Sequence, residues 1–364
     1  MSQTVFVYDP TASDELSKVR GIGRYMQILQ ENFPEWKFRN DLRYTLHVTR
    51  PTTFINPFIN FLQRPVVTRR IADKQIALIH DLIPLKYPAH FPAGLRGKLN
   101  IFTNKVALKN YDAIIAISQT TKEDIVKILG ISPEKITVIY SGLPRRFAHL
   151  KTLHATRYTL HATHPYCLYV GDATWNKNIV NLAKAIKIAD VPCVFVGKVF
   201  TPLKFSTSSN NNVSTNDTSY SSSEVKRSRE ASGWLKDFND FSELAKGDPR
   251  FIFPGYVADD ELLTLYQNAV CNVLVSRDEG FGYSYLEAAS QGCPSVLSDI
   301  PIFHETAKGS ALYANPTNPE DIAAKIKLLY SDDTVRLKLQ KKAKTRADFF
   351  SADQFKKVFL KVIS

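Results

Sequence analysis

Residues 276–305, SRDEGFGYSYLEAASQGCPSVLSDIPIFHE, decide how the rest of the chain is read. A glycine turn, Glu279-Gly280-Phe281-Gly282, opens directly into an apolar-patterned segment over 283–291. An apolar run over 269–275 precedes it and another over 294–297 follows. Strand, glycine turn, helix and strand in that order is how an α/β sheet presents a helix N-terminus to an anion. Two carboxylates belong to the unit, Glu279 in the turn and Glu287 in the helix. Their eight-residue step is just over two helical turns, so both can line one side of a cleft if the turn continues the helix axis.

Working outward, the same alternation recurs on both sides. Toward the N-terminus, residues 5–8 read as a buried strand, and Gly21-Ile22-Gly23-Arg24-Tyr25 leads into a helical pattern. Glycines at that place allow a close backbone approach to a ligand, but GxG is not GxGxxG and supports no dinucleotide fingerprint. Residues 54–67 are apolar with prolines and flanking arginines, a pattern open to a membrane-surface patch or a loop packed on the sheet. Residues 75–79 form a second strand ending in His80-Asp81, at the carboxyl end where open α/β sheets place ligands. A helix over 95–109, a strand over 113–117, Ser118 as helix cap, a helix over 121–129 and a strand over 136–140 ending in Ser141-Gly142 complete the front half. Strands and helices at this spacing predict a parallel, doubly wound sheet.

Over 143–165 the pattern lapses. TLHAT occurs twice, and His149, His154, His161 and His164 cluster there. No carboxylate or cysteine joins those histidines, so a duplicated linker is the better reading than a metal site. The alternation then restarts with a strand over 166–170, Gly171-Asp172-Ala173-Thr174-Trp175-Asn176-Lys177-Asn178, a helix to 188 and a strand over 194–196. Residues 204–232 are rich in Ser, Asn and Thr and read as a disordered insertion, with a basic cluster at 226–229. Order resumes with the strand-like run 251–257, which holds Gly255, Tyr256 and Val257, and a helix over 260–268. A last helix over 352–363 begins at Ser351 as its N-cap.

The totals set bounds. A chain of 364 residues suits two domains, each with its own core. No apolar run approaches the roughly 20 residues of a membrane span, and the N-terminus shows no signal-peptide pattern. Four widely spaced cysteines in apolar surroundings predict buried reduced thiols, as in a cytosolic protein, and no metal site. The net charge is +12, and it is uneven: 23 Lys+Arg against 12 Asp+Glu through residue 165, then 24 against 23. The excess of about +11 in the front half points to an anionic partner: a phosphorylated acceptor, an anionic membrane face or nucleic acid. A basic front half also suits a generally basic proteome. No aromatic-basic module or helix-turn-helix supports a nucleic-acid-binding protein.

The order of these pieces resembles the retaining nucleotide-sugar glycosyltransferases of family 4, also called glycosyl transferases group 1. The motifs that carry the resemblance are DEGFGYSYLEAASQGCPSVLSDI, YVGDATWNKN, IAISQTTKEDI and HDLIPLKYP, and it covers nearly the whole chain outside the linker and the insertion. It implies an α/β GT-B fold: two Rossmann-like doubly wound parallel-sheet domains facing a cleft. The acceptor-side domain would span 1–148, the linker 149–165 and the nucleotide-sugar domain 166–348, and residues 349–364 would pack back on the first domain.

A sugar nucleotide has a pyrophosphate, a ribose and a reactive C1, and each must be held. By resemblance Glu279 lies beside the donor sugar and Glu287 grips the ribose hydroxyls. The amides around Gly280, Phe281, Gly282, Tyr283, Ser284 and Tyr285 suit the pyrophosphate. Lys177 neutralises the leaving diphosphate, following Gly171 in its loop, and Gly255 to Val257 pack on the base. His80 stands near the transferred sugar with Asp81 orienting it, while Gly21, Gly23, Ser118 and Ser141 serve phosphate and acceptor approach. The arginine the family carries just before the lysine, or a few residues earlier, is absent: Asn176 and Asp172-Ala173 stand there.

The resemblance further implies retention, no metal or other cofactor, and transfer of a hexose to a glycan or polyprenyl-diphosphate-linked acceptor in cell-surface polysaccharide synthesis. HDLIPLKYP looks most like bacterial mannosyltransferases, so GDP-mannose is the first donor and a UDP-hexose the second. The expected location is cytoplasmic, peripheral on the inner face of the plasma membrane. Alternatives are a lapsed nucleotide-sugar-binding protein, a UDP-dependent glucosyl or N-acetylglucosaminyl transferase, and a sugar-nucleotide epimerase.

Overall fold

A computed structural model of the chain describes residues 4–12, 21–42, 52–148, 165–205 and 234–363. The histidine-rich repeat, the basic cluster and most of the Ser/Asn-rich stretch lie outside these. The chain divides into two compact units. The first comprises Met1–Pro88, Ala93–His149 and Asp348–Ser364; the second comprises Ala89–Pro92 and Leu150–Ala347.

The strands of the first unit are β1 (Thr4–Tyr8), β2 (Lys37–Arg39), β3 (Thr52–Asn56), β4 (Lys74–Ile79), β5 (Ala113–Ala116) and β6 (Ile136–Val138). They form one parallel sheet in the order β2-β1-β3-β4-β5-β6. The strands are short continuous apolar runs because helices cover both faces of such a sheet and neither side meets water. Phe54, Ile76, Leu78, Ile114 and Ile115 are accordingly fully buried.

The stretch 54–67 is not one element. Its first residues end β3, which is buried along its whole length between β1 and β4. Phe61 and Val67 beyond it are also buried, so this is a packed segment, and of its large apolar side chains only Val66 counts as exposed. The helix Gly94–Ala107 holds that segment: Asn100 and Asn104 Nδ2 donate to the carbonyls of Leu62 and Gln63 at 2.9 and 2.8 Å.

The second unit holds β7 (Cys167–Val170), β8 (Cys193–Val196), β9 (Phe251–Gly255), β10 (Cys271–Leu274), β11 (Ser295–Ser298) and β12 (Leu312–Ala314). They pair in parallel in the order β12-β11-β10-β7-β8-β9. This is a doubly wound sheet whose order reverses between β7 and β10. Cys271, Cys167 and Cys193 stand side by side as register partners on three adjacent strands. All four cysteines are free and buried, and burial pushes the Cys293 thiol up to about 12.

Residues 204 and 205, read as the start of the insertion, close a 3-10 stretch, Lys198–Phe205, anchored by the fully buried Phe200. The helices Trp234–Ala245, Pro301–Ala307, Pro319–Ser331 and Asp333–Asp348 add elements that the sequence pattern did not single out.

The last helix, Ala352–Ile363, belongs to the first unit. The Gln354 amide donates to Ser351 Oγ at 3.4 Å, the N-cap contact. Phe355 packs edge-on to Tyr25, and Phe359 lies 5.5 Å from Phe33 and 5.6 Å from Trp36, ring centre to ring centre. Burying these two phenylalanines stabilises the return by roughly 3–6 kcal/mol.

Candidate active site

The two loops at the reversal point of the second sheet are laced together. One follows β7 and the other follows β10, adjacent strands whose carboxyl ends form the crevice where open α/β sheets bind ligands. Asn176 ties them from the first side: its carbonyl accepts the Arg277 amide at 2.7 Å and its Nδ2 donates to the Asp278 carbonyl at 3.2 Å. Thr174 Oγ1 donates to Asn176 Oδ1 at 2.8 Å and fixes the amide. Asn178, held in the left-handed region at φ 58°, donates Nδ2 to the carbonyls of Val275 and Pro316 at 2.8 and 2.7 Å.

This lacing places a lysine against a carboxylate. Lys177 Nζ donates to Glu279 Oε1 at 2.6 Å, and Ser276 Oγ donates to the same oxygen at 2.7 Å. The Glu279 side chain is 9% exposed and the lysine 23%, so the pair sits at the surface edge of a buried loop and water still reaches the ammonium. A carboxylate oxygen that carries two donors is a weak nucleophile and a well-oriented anion. The ammonium is thereby held at a fixed point above the sheet's crevice, a fixed positive charge for a ligand that develops negative charge there.

Gly282 makes the helix start possible. It lies at φ 89°, and a Cβ there would come within 2.7 Å of Phe303 Cε1, so both conformation and space require glycine. The helix Tyr283–Ser290 runs from it with its first-turn amides at the reversal point. Of the residues assigned to this turn, Tyr285 points inward: its amide donates to the Gly282 carbonyl at 3.1 Å and its hydroxyl pairs with Ser310 Oγ at 2.7 Å. Gly280 and Phe281 are buried, while Tyr283 and Ser284 keep partial exposure. Glu287, one turn along, is buried and accepts from the Tyr266 hydroxyl at 3.1 Å, which fixes its carboxyl orientation.

Gly171 directly follows β7, its amide bonded to the Val196 carbonyl at 3.0 Å. Gly255 ends β9 at φ 78°, close to Thr201, and Val257 is buried behind it. Between them Tyr256 is half exposed, with Lys198 Nζ 5.2 Å from its ring centre.

Arg277 is a cation that the sequence did not single out. Its guanidinium donates to the Trp175 carbonyl at 2.6 Å, lies 5.0 Å from the Trp175 ring centre, and faces Asp237 at 3.6 Å. Burial holds the arginine below its usual range and raises the Asp237 carboxyl. At the position where an arginine was expected, Asp172 Oδ1 accepts the Ala173 amide at 2.9 Å. Ser276 and the bridging role of Asn176 also escaped the sequence reading, because short polar side chains inside loops carry no periodic signal; Tyr266, a buried aromatic of the helix Asp259–Asn268, read only as core.

In the first unit, His80 directly follows β4. Its Nε2 lies 2.9 Å from the Pro57 carbonyl and its ring packs edge-on to Tyr25 at 4.9 Å. Burial lowers the imidazole to about 4, so it is neutral at neutral pH, with its proton on Nε2 facing Pro57. Asp81 does not hold the ring there: its Oδ1 accepts the Ile83 amide at 3.1 Å and starts the helix Ile83–Lys86. Ser118 Oγ is an N-cap, accepting the Thr121 amide at 3.0 Å, and Thr121 in turn donates to the His80 carbonyl. Ser141 is fully buried, with Oγ 3.4 Å from the Gly142 carbonyl. Gly21 and Gly23 open the helix Gly21–Asn32. Near them, at the β1/β3 reversal of this sheet, is a cavity of about 490 Å³ lined by Tyr8, Ile22, Asn56, Phe58 and Tyr111 among others.

Two doubly wound parallel units define the class, and solved structures of the GT-B fold superpose on the chain. The sucrose-phosphate synthase of Thermosynechococcus elongatus superposes with a TM-score of 0.66 at 17% identity, covering 100% of this chain and 98% of that one. Anabaena HepE in complex with UDP-glucose gives 0.66 at 15%, covering 99% of each. Residues 154–346 match Glycosyl transferases group 1 and residues 5–146 match Glycosyltransferase Family 4. The chain belongs to the glycosyl transferases group 1 family. Among curated relatives, the O-antigen chain mannosyltransferase RfbU of Salmonella typhimurium is 28% identical over 254 residues, which is 70% of this chain and 60% of that protein. The O-antigen chain mannosyltransferase B of Escherichia coli is 39% identical over 82 residues, 22% of each.

Proposed function

We infer that this glycosyltransferase moves mannose from GDP-mannose, with a UDP-hexose as the second choice of donor, to a glycan or polyprenyl-diphosphate-linked acceptor in O-antigen-like polysaccharide assembly. The observation that carries the reading is the Lys177–Glu279 pair at the sheet reversal, beside a helix N-terminus that only glycine can open. The mannosyl preference draws on the HDLIPLKYP motif and on the mannosyltransferase relatives, and the UDP alternative on solved neighbours that hold UDP or UDP-glucose. The reaction would run on the cytoplasmic side, with the protein peripheral to the inner face of the membrane.

The proposed chemistry is electrostatic and needs no metal. Lys177 receives the charge that develops on the leaving diphosphate, the first-turn amides after Gly282 hold the pyrophosphate, and Glu287 takes the ribose hydroxyls. Glu279 orients the lysine and lies beside the donor sugar. With Oε1 committed to two donors, Glu279 is poorly suited to attack C1, which favours front-face displacement with retention and a leaving phosphate that accepts the acceptor's proton. Neutral His80 and the cavity at the first sheet's reversal would serve the transferred sugar and the acceptor.

A thermal-shift panel of GDP-, UDP- and dTDP-sugars tests the donor, since selective stabilisation follows binding. GDP-mannose should raise the melting temperature most. Stabilisation by UDP-sugars alone overturns the mannosyl reading, and no stabilisation by any donor overturns the transferase reading. Nucleotide release by wild type and by Lys177→Ala then separates an active enzyme from a lapsed one. Near-total loss in Glu279→Gln with activated donors would overturn front-face displacement.

A further inference from the structure

The helix Gly94–Ala107 is built inside out. The side it turns to the core carries Gly97, Asn100, Asn104 and Ala107, two of which are amides spent on the carbonyls of Leu62 and Gln63. The opposite side carries Leu95, Leu99, Phe102 and Val106, which are 89%, 62%, 64% and 45% exposed. Steps of four, three and four residues put these four side chains within an arc of about 60° along about 17 Å of helix. Ordinary amphipathic helices do the reverse and bury the apolar stripe. Ten large hydrophobics are exposed among the described residues, and this one helix holds four of them. Val66, in the segment that the helix clamps, is a fifth.

The flanks of the stripe are cationic. Arg96 lies to one side and Lys98, Lys105 and Lys109 to the other, and the sequence from 82 to 111 contains no Asp or Glu. An apolar ridge between basic flanks matches the boundary of an anionic bilayer, where side chains enter the acyl region and lysines and arginines meet headgroup phosphates. No described helix is long and apolar enough to cross a membrane, so the contact is with one leaflet.

We propose that Leu95, Leu99, Phe102 and Val106, with the basic residues beside them, dock the first unit on an anionic lipid surface. The proposal rests on the peripheral placement given above and supplies the surface that carries it. Docking here would bring the basic half of the chain to the membrane, which accounts for a charge excess that the donor site does not use.

The test is sedimentation of the full chain with phosphatidylcholine vesicles, with and without phosphatidylglycerol, at low and high salt. Wild type should sediment with the anionic vesicles and much less with the neutral ones. Leu99→Gln/Phe102→Gln should lower the partition coefficient about a hundredfold at an unchanged melting temperature, since both side chains lie outside the core. Arg96→Gln/Lys98→Gln should weaken the preference for anionic lipid and flatten its salt dependence, and a preference unchanged in that variant also overturns the proposal. The proposal is overturned if wild type ignores anionic vesicles at low salt, or if the Leu99/Phe102 variant binds them as wild type does. A dimer abolished by that variant, with no vesicle binding, likewise overturns it in favour of a second copy on this face. Donor-induced stabilisation measured on the same proteins keeps the two readings apart. A failure of vesicle binding leaves the transferase reading standing, and a failure of donor binding leaves the membrane surface standing.

Discussion

Replacing Lys177 by Met tests whether the pair at the reversal point is a coupled unit. The change removes the ammonium 2.6 Å from Glu279 Oε1 and leaves a carboxylate that is 9% exposed. Raw attraction between unit charges at that distance is about 6 kcal/mol at an effective dielectric of about 20, and desolvation offsets most of it. Breaking a fully buried pair costs about 3–5 kcal/mol and an exposed one about 0–1. Here the lysine keeps 23% exposure and Ser276 Oγ still donates to the carboxylate, so about 2 kcal/mol is expected. In a unit of this size that lowers the melting temperature by about 4–8 °C. Adding Glu279→Gln removes the stranded charge while an amide oxygen still accepts from Ser276. The double variant should regain most of the lost stability, and its turnover should stay down by about a hundredfold or more because the diphosphate has lost its cation. Calorimetry and nucleotide release on the four proteins of the cycle give both readings. If the two losses in stability simply add, the pair is not coupled and the account of Glu279 as the holder of Lys177 fails.

Two other outcomes follow from the first unit. The lowered His80 means that the unfolded chain takes up a proton below about 6.5 which the folded one refuses down to about 4. Stability is therefore complete above pH 6.5 and falls as pH drops, by about 2 kcal/mol between pH 6.5 and 5; urea unfolding should show this slope in wild type and a flatter one in His80→Gln. Phe359→Ala opens a hole beside the stacked Phe33–Trp36 pair and should cost the first unit about 3–5 kcal/mol, read as a lower urea midpoint with the second unit's transition unmoved.

The alternation of strands and helices was legible because parallel strands buried on both faces are written as short apolar runs between loops, as in residues 76–79 and 271–275. Two strands of the first sheet were not. Thr52–Asn56 is half polar by composition, and Lys37–Arg39 is a three-residue edge with two exposed cations. The helix Asp333–Asp348 escaped because it is polar around most of its surface and buries only Leu339, Ala343 and Ala347. Spacing in the glycine turn pointed to Glu279 and Glu287, and the family resemblance added Lys177. What spacing could not give was partnership: Glu279 with Ser276, Glu287 with Tyr266, His80 with the Pro57 carbonyl in place of Asp81. Those depend on contacts between side chains far apart in the chain. Nor did periodicity tell which side of residues 94–107 faces the core, because a pattern of period 3.6 fixes a stripe and not its direction.

The row of cysteines has a practical side. Every thiol in the protein belongs to the second unit, on β7, β8, β10 and the turn before β11, and each is buried. A thiol reagent can reach them only when that sheet opens, so the rate of labelling in native buffer times the opening of one half of the molecule with the other half silent. Adding a nucleotide sugar that binds the reversal point should slow that clock in proportion to its occupancy, and an acceptor held by the first unit alone should leave it running at the same pace. The protein thus carries its own domain-resolved reporter, and donor and acceptor can be told apart by which of them protects sulfur.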